Sequence, residues 1–368
     1  MMIKSGGNLP SLIGIDPLKR ISPSRFFRMV CCQLREVLIS NRIERLLPSS
    51  PNIYFGTLAH EFLEKVGIGK ISRVEDLENE WLSSITELEQ RLLCMKMEKH
   101  LVPLSKSVSQ YEIKKRLLFK KALSLMANRR FGFNNNVKAT QTIERWFETK
   151  DRIVGGAIDK IIFTSSGYKV IDFKTGVVID KNTFEIKKEY KYQMLIYAAL
   201  LYENLNEWPV ALEIHDLNGS VHSIKYKKEQ SIRLLNEAKE LFHRVNGLIS
   251  RTDSFFELQK YLANPAPQYC RYCEFRPICN AYWSKKDMSP QLNWGMDIRG
   301  QCESLTTLGN GSYLLKIRSG LNTYKVRGLN PNRHQILEGR FLSIYNLSAD
   351  KTNNCFSEKM LTMIYTNK

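Results

Sequence analysis

Along residues 51–67, PNIYFGTLAHEFLEKVG, apolar side chains fall at 55, 58, 59, 62, 63 and 66, the spacing of one helix face. His60, Glu61 and Glu64 lie off that stripe, and His60 and Glu64 share a face at i, i+4. Residues 75–130 continue in a largely helical pattern. The texture then changes, because 152–164 and 168–175 are rich in Ile, Val, Phe and Tyr and predict two strands. KEYKYQMLIYAALLYEN, over about 188–204, is nearly apolar all round and predicts a buried helix. Further strands are expected near 209–216 and 221–226, and a helix near 228–250. Beyond WSKKDMSPQLNWG the chain turns to short alternating segments, from MDIRGQCESL to KMLTMIYT, which predict five short strands. The expected division is 1–288, with a helical insertion over about 68–140, and 289–368.

The two central strands carry charges that a half-buried hairpin does not need. In GGAIDKIIFTSSGYKVIDFKTG, a two-residue turn at Ser165-Ser166 sets Asp159 opposite Asp172; a three-residue turn shifts the register by one. Facing carboxylates destabilise a sheet unless a cation lies between them. Strand alternation puts Lys174 on the face of Asp172. Two carboxylates holding Mg²⁺ or Mn²⁺ beside a lysine form a site for phosphodiester hydrolysis. The competing reading, solvent-facing charges on an edge hairpin, explains Asp172 alone but not the whole arrangement.

Composition sharpens the partner class. Against 37 Asp and Glu stand 55 Lys and Arg, a net charge of +18 over 368 residues, and nucleic acid is the commonest polyanion such an excess implies. SKSVSQYEIKKRLLFKKALSLMANRR concentrates this charge and offers Lys114, Lys115, Arg116, Lys120 and Lys121 for phosphate contacts; a solvated helix face is the simpler alternative. No apolar run is long enough to span a bilayer, so no membrane partner is expected. MMIKSGGNLPSLIGIDP lacks the apolar core of a secretory signal, which makes the cytoplasm the expected location. There, eight cysteines read as thiols or metal ligands rather than disulfides. Cys270, Cys273 and Cys279, spaced C-x2-C-x5-C, bring three thiolates to one centre, and spacing alone admits zinc or an iron–sulfur cluster.

The motifs together resemble a known family. GGAID followed by VIDFKTG resembles the two metal-binding motifs of the RecB-like branch of the PD-(D/E)XK nuclease superfamily, the branch that includes CRISPR-associated RecB-type exonucleases. FGTLAHEFLE resembles that branch's histidine helix and maps onto His60. YQMLIY resembles its Gln-x-x-x-Tyr motif and maps onto Gln193 and Tyr197, and CRYCEFRPIC resembles its cysteine triplet. The resemblance spans roughly 20–285. It implies an α/β, restriction-endonuclease-like mixed sheet flanked by helices. It also implies metal held by His60, Asp159, Asp172 and the carbonyl of Phe173, with Lys174 serving the nucleophile. ISPSRFFRMVCC resembles the segment that supplies a fourth cluster cysteine, and distance from Ser22 favours Cys32 over Cys31. Gln33 stands where the family usually has proline, so Cys31 stays an alternative. The resemblance turns the cysteine reading toward [4Fe–4S], with zinc second.

The C-terminal pattern looks like an OB-fold, with an SH3-like barrel as runner-up. Lys316, Arg318, Tyr324 and Arg327 are its candidates for contacts to a single strand, and a protein-docking module is the alternative. No G-x-x-x-x-G-K-[ST] motif occurs. Any unwinding would therefore come from a partner such as a helicase, or the DNA would be single-stranded or have a free end. The expected function is a metal-dependent deoxyribonuclease, an exonuclease in DNA repair or defence. The rival is a non-catalytic nucleic-acid-binding or scaffold subunit.

Overall fold

The computed structural model describes residues 14–131 and 141–367; positions 132–140 of the expected helical insertion lie outside them. The helices are α1 (Pro23–Cys31), α2 (Gln33–Ser40), α3 (Pro51–Gly67), α4 (Asp76–Cys94), α5 (Leu104–Ser107), α6 (Tyr111–Phe131), α7 (Lys188–Leu205), α8 (Lys228–Ile249), α9 (Phe255–Leu262), α10 (Pro267–Cys270) and α11 (Asn280–Met288). A first sheet holds β1 (Gln141–Glu148), β2 (Gly155–Thr164), β3 (Gly167–Lys174), β4 (Ala211–Asp216) and β5 (Val221–Ser223), in that order. Only the β3–β4 pair is parallel, and α7 is the crossover helix that such a pair requires. This is a mixed sheet flanked by helices, a restriction-endonuclease-like arrangement.

The apolar texture of α7 has a direct cause. Residues 193–201 are all buried, because the helix packs on the sheet while α1 and α8 cover its other sides. Gly156 lets α1 approach β2 closely, since a Cβ there would meet Pro23 Cδ at 2.9 Å. Helices α3 to α6 form a second core around Phe55, Phe62 and Trp81, whose indole donates to Tyr111 Oη at 3.0 Å.

The C-terminal sheet has seven strands rather than the five expected: β6 (Ile298–Thr307), β7 (Tyr313–Ser319), β8 (Asn322–Leu329), β9 (Phe341–Tyr345), β10 (Ser348–Ala349), β11 (Cys355–Ser357) and β12 (Met363–Asn367). The additional β10 and β11 are too short to carry a pattern. β6 pairs β9 through Gln301 and β7 from Gln301 onward. Gly300 sits at this change of partner, where a Cβ would fall 2.0 Å from the Arg318 carbonyl oxygen. The strands enclose their own core of Leu315, Ile317, Val326, Leu342 and Ile344.

A fourth cluster, with Leu47, Cys270, Tyr282, Trp283, Trp294, Tyr345 and Tyr365, joins this sheet to the cysteine-bearing segment. Within it, Arg276 Nε lies 2.9 Å from Asp297 Oδ2, with both side chains almost fully buried. Tyr282 Oη also donates to Asp297, at 2.8 Å.

Candidate active site

The hairpin register follows from its turn. Thr164 pairs with Gly167 across Ser165-Ser166 and the ladder runs to Lys160 and Ile171, so Asp159 and Asp172 are the next residues on the two strands, one step beyond the last pair. The Thr164 hydroxyl donates to the Gly167 carbonyl at 2.8 Å and closes the turn. The two-residue alternative is therefore the one adopted.

Around the carboxylates each polar group has a specific partner. Asp159 Oδ2 accepts the Phe173 N–H at 2.8 Å, which ties the two strands where they diverge. Asp172 is 1% exposed. Its Oδ1 accepts from Gln193 Nε2 at 2.8 Å, and its Oδ2 has Lys174 Nζ at 2.7 Å. Lys174 also donates to Gln193 Oε1 at 3.2 Å. Tyr197 Oη donates to the Ala157 carbonyl at 2.6 Å and is 3.5 Å from Gln193 Nε2. Gln193 and Tyr197, one turn apart on α7, thus present their polar tips to the hairpin. From α3, His60 Nε2 lies 2.6 Å from the Phe173 carbonyl oxygen and Nδ1 lies 4.0 Å from Asp159 Oδ2.

The electrostatics follow from burial and like charge. Burial, reinforced by the Asp172 charge, pushes the Asp159 carboxyl up to about 6. Burial alone would lower Lys174, but Asp172 outweighs it and holds the ammonium above its usual range.

The donor set fits a hard divalent cation in kind: two carboxylates, an imidazole and a backbone carbonyl at one end of a hairpin. A cation there would relieve the repulsion that raises Asp159. It would also serve Asp172 Oδ2, which is buried and has the Lys174 contact but no well-directed hydrogen bond. Among the described residues no three His, Cys, Asp or Glu side chains already stand in a metal-holding arrangement. Asp172 is turned toward Lys174 and Gln193, and His60 contacts the Phe173 carbonyl directly.

Tyr190 belongs to this site and was not anticipated. Lys174 Nζ sits 5.1 Å from its ring centroid. Its position three residues before Gln193, on the same helix face, was the available signal.

Cys32, Cys270, Cys273 and Cys279 line one cavity, and Cys31 is not among its lining residues. Burial raises the thiols of Cys270 to about 11 and Cys279 to about 12, and raises Cys273 as well. These three thiols would become thiolates only against a strong positive charge, which a metal centre supplies.

The basic residues singled out in α6 separate. Lys114 Nζ donates to Asn52 at 2.5 Å and Lys115 Nζ to Glu78 at 2.5 Å, while Arg116 and Lys120 are exposed. Lys121 Nζ lies 5.6 Å from the Phe173 ring centroid, on the sheet face opposite Asp172. In the C-terminal sheet Lys316, Arg318 and Arg327 are exposed, the last two facing Glu303 at 3.1 Å and Asp350 at 2.7 Å. Tyr324 instead packs on the core against Phe356.

Comparison with known proteins gives a family match: the model of the PD-(D/E)XK nuclease superfamily matches residues 20–280. No curated protein matches. A solved structure titled "Crystal structure of SSO0001" is similar at 18% identity, covering 54% of this chain and 85% of that one, with a TM-score of 0.24. Among the described residues no helix is long and apolar enough to cross a membrane.

Proposed function

The chain belongs to the PD-(D/E)XK nuclease superfamily, and on that premise we propose that it is a RecB-like, metal-dependent deoxyribonuclease. Its substrate is single-stranded or end-bearing DNA, which it degrades as an exonuclease in repair or defence. The observation that carries this reading is the set of contacts by which Gln193 and Lys174 hold buried Asp172 one step beyond the last pair of the hairpin ladder, where Asp159 also lies.

Asp159, Asp172, His60 and the Phe173 carbonyl would hold Mg²⁺ or Mn²⁺. When bound, the ion supplies hydroxide near neutral pH and offsets charge growing on phosphorus. Lys174, a cation fixed by Asp172 and Gln193, presents its positive charge to the attacked phosphate. Tyr197 and Gln193 hold the hairpin and the lysine in register, so little reorganisation accompanies reaction. A water oxygen forms the new bond to phosphorus and one ester P–O bond breaks, leaving a phosphate monoester and a hydroxyl. With no nucleotide-driven motor motif in the chain, duplex opening falls to a helicase or another partner.

The test is digestion of 5′- and 3′-labelled single strands, duplexes and circles with Mg²⁺ and with Mn²⁺. Cleavage that stops on chelation is expected. A protein that cuts none of these substrates would be the non-catalytic DNA-binding subunit instead.

The four cysteines are proposed to hold a [4Fe–4S] cluster that joins residue 32 to the 270s, and the C-terminal sheet is proposed to be an OB-like module within 289–368. Its parallel β8–β11 pair and its shared β6 support the latter reading. Anaerobically prepared protein should be brown, and Cys273→Ser should lose the broad visible absorbance. Colourless protein with stoichiometric zinc would replace the cluster with a zinc site.

A further inference from the structure

Two cavities of about 620 and 610 Å³ adjoin between the nuclease fold and the C-terminal sheet, and Arg271, Tyr272, Asn346 and Leu361 line both. They form one cleft. Its inner end is separated from Lys174 by the Tyr190 ring, which lies 5.1 Å from Lys174 Nζ and 5.7 Å from Nζ of Lys187, a residue that lines the cleft. Its outer end runs past Trp294 and Lys359.

The lining combines cations with exposed rings. Arg28, Lys187 and Arg271 have no acidic partner within ion-pair distance among the described residues, and buried Arg271 Nε has no hydrogen-bond partner. Of the acids in the wall, Glu274 is gripped by both forks of Arg35, and Asp180 accepts the Asn182 and Thr183 N–H groups. Glu189 is the third acid there. Tyr272 is 74% exposed, with the Arg271 guanidinium 5.8 Å from its ring centroid. A solvent-facing tyrosine beside an arginine that has no acidic partner, its Nη2 held only by the Asn293 carbonyl at 3.1 Å, is a platform for a base and its phosphate. Base faces are available only in single strands, since duplex stacking hides them.

We infer that this cleft is the seat of single-stranded DNA, with Tyr272 stacking a base and Arg271, Arg28 and Lys187 meeting phosphates on the way to Lys174. The inference rests on the nuclease reading for its direction but not for its test. An Asp172→Asn background prevents cleavage while binding is measured with a poly-dT oligonucleotide and a blunt hairpin duplex. Tyr272→Ala should weaken poly-dT binding roughly tenfold and spare the hairpin, and Tyr272→Trp should retain affinity. Lys187→Ala, away from the cysteines, should weaken poly-dT binding and lower its salt slope by about one. Wild-type protein that cuts DNA, with poly-dT affinity unmoved by both Tyr272→Ala and Lys187→Ala, overturns the cleft and leaves the nuclease. Protein that cuts nothing but loses poly-dT binding with these variants keeps the cleft and removes the nuclease.

Discussion

Asp172→Asn is expected to lower Mg²⁺- or Mn²⁺-dependent cleavage by roughly a thousandfold or more, the several kcal/mol that a bound metal supplies. Single-strand affinity should stay within about twofold, because Asp172 is buried beneath the surface a strand can reach. Asparagine keeps the shape and can still accept from Gln193 Nε2. What it removes is the negative charge opposite Lys174 Nζ, 2.7 Å away, and half of the carboxylate pair. One opposing effect limits the structural damage. Asp172 is one of the groups that push Asp159 upward, so its neutralisation eases the neighbouring carboxylate. The thermal midpoint should therefore change far less than the rate. Retained cleavage with an unchanged metal requirement would show that the hairpin carboxylates are not the catalytic centre.

The hairpin was legible because a period of two and a short turn leave few registers. The turn chemistry chose among them: the Thr164 hydroxyl closes the loop on Gly167, and the strands pair from there. α3 and α7 were legible for the complementary reason, since their apolar spacing is long enough to have one interpretation. β1 was missed: its partner β2 lies beyond an irregular segment, and Trp146 on its outer face is half exposed.

The distance from Ser22 favours Cys32 over Cys31, and the two differ in their surroundings. Cys31 is the last residue of α1 and is buried. Cys32 sits in the extended break before α2, at φ −157 and ψ 105, and there its side chain lines the cavity of the other three cysteines. One residue of helix length decides which thiol lines that cavity. The junction is harder still. Arg276 in CEFRPIC and Asp297 in GMDIRG look like ordinary surface charges, because mutual burial of an ion pair leaves no trace in the neighbouring sequence.

Asp297→Ala is expected to destabilise the protein by about 3–5 kcal/mol, because it leaves a guanidinium buried without its counter-charge. Arg276 is 1% exposed, between the rings of Tyr282 and Tyr345. It donates to the Cys270 carbonyl at 2.6 Å and to Asn346. Asp297 in turn accepts from the Asn346 N–H at 2.8 Å and from Tyr282 Oη. One ion pair thus links the cysteine segment to the C-terminal sheet. Urea unfolding followed by tryptophan fluorescence should show the loss, with Trp283 and Trp294 reporting from the junction itself. Visible absorbance, if the cluster is present, should decay faster than in wild type, since the Cys270 loop loses a fixed anchor. Truncation at 288 removes Asp297 with the sheet and should cost at least as much, so the pieces expected as separate domains should not separate freely. The double change Arg276→Met with Asp297→Leu discriminates the cause: replacing both charges by apolar groups should recover most of the stability, because the cost lies in the unpaired charge rather than in lost attraction. An Asp297→Ala protein as stable as wild type would mean that the apolar cluster around Tyr345 and Trp283 holds the junction without the pair.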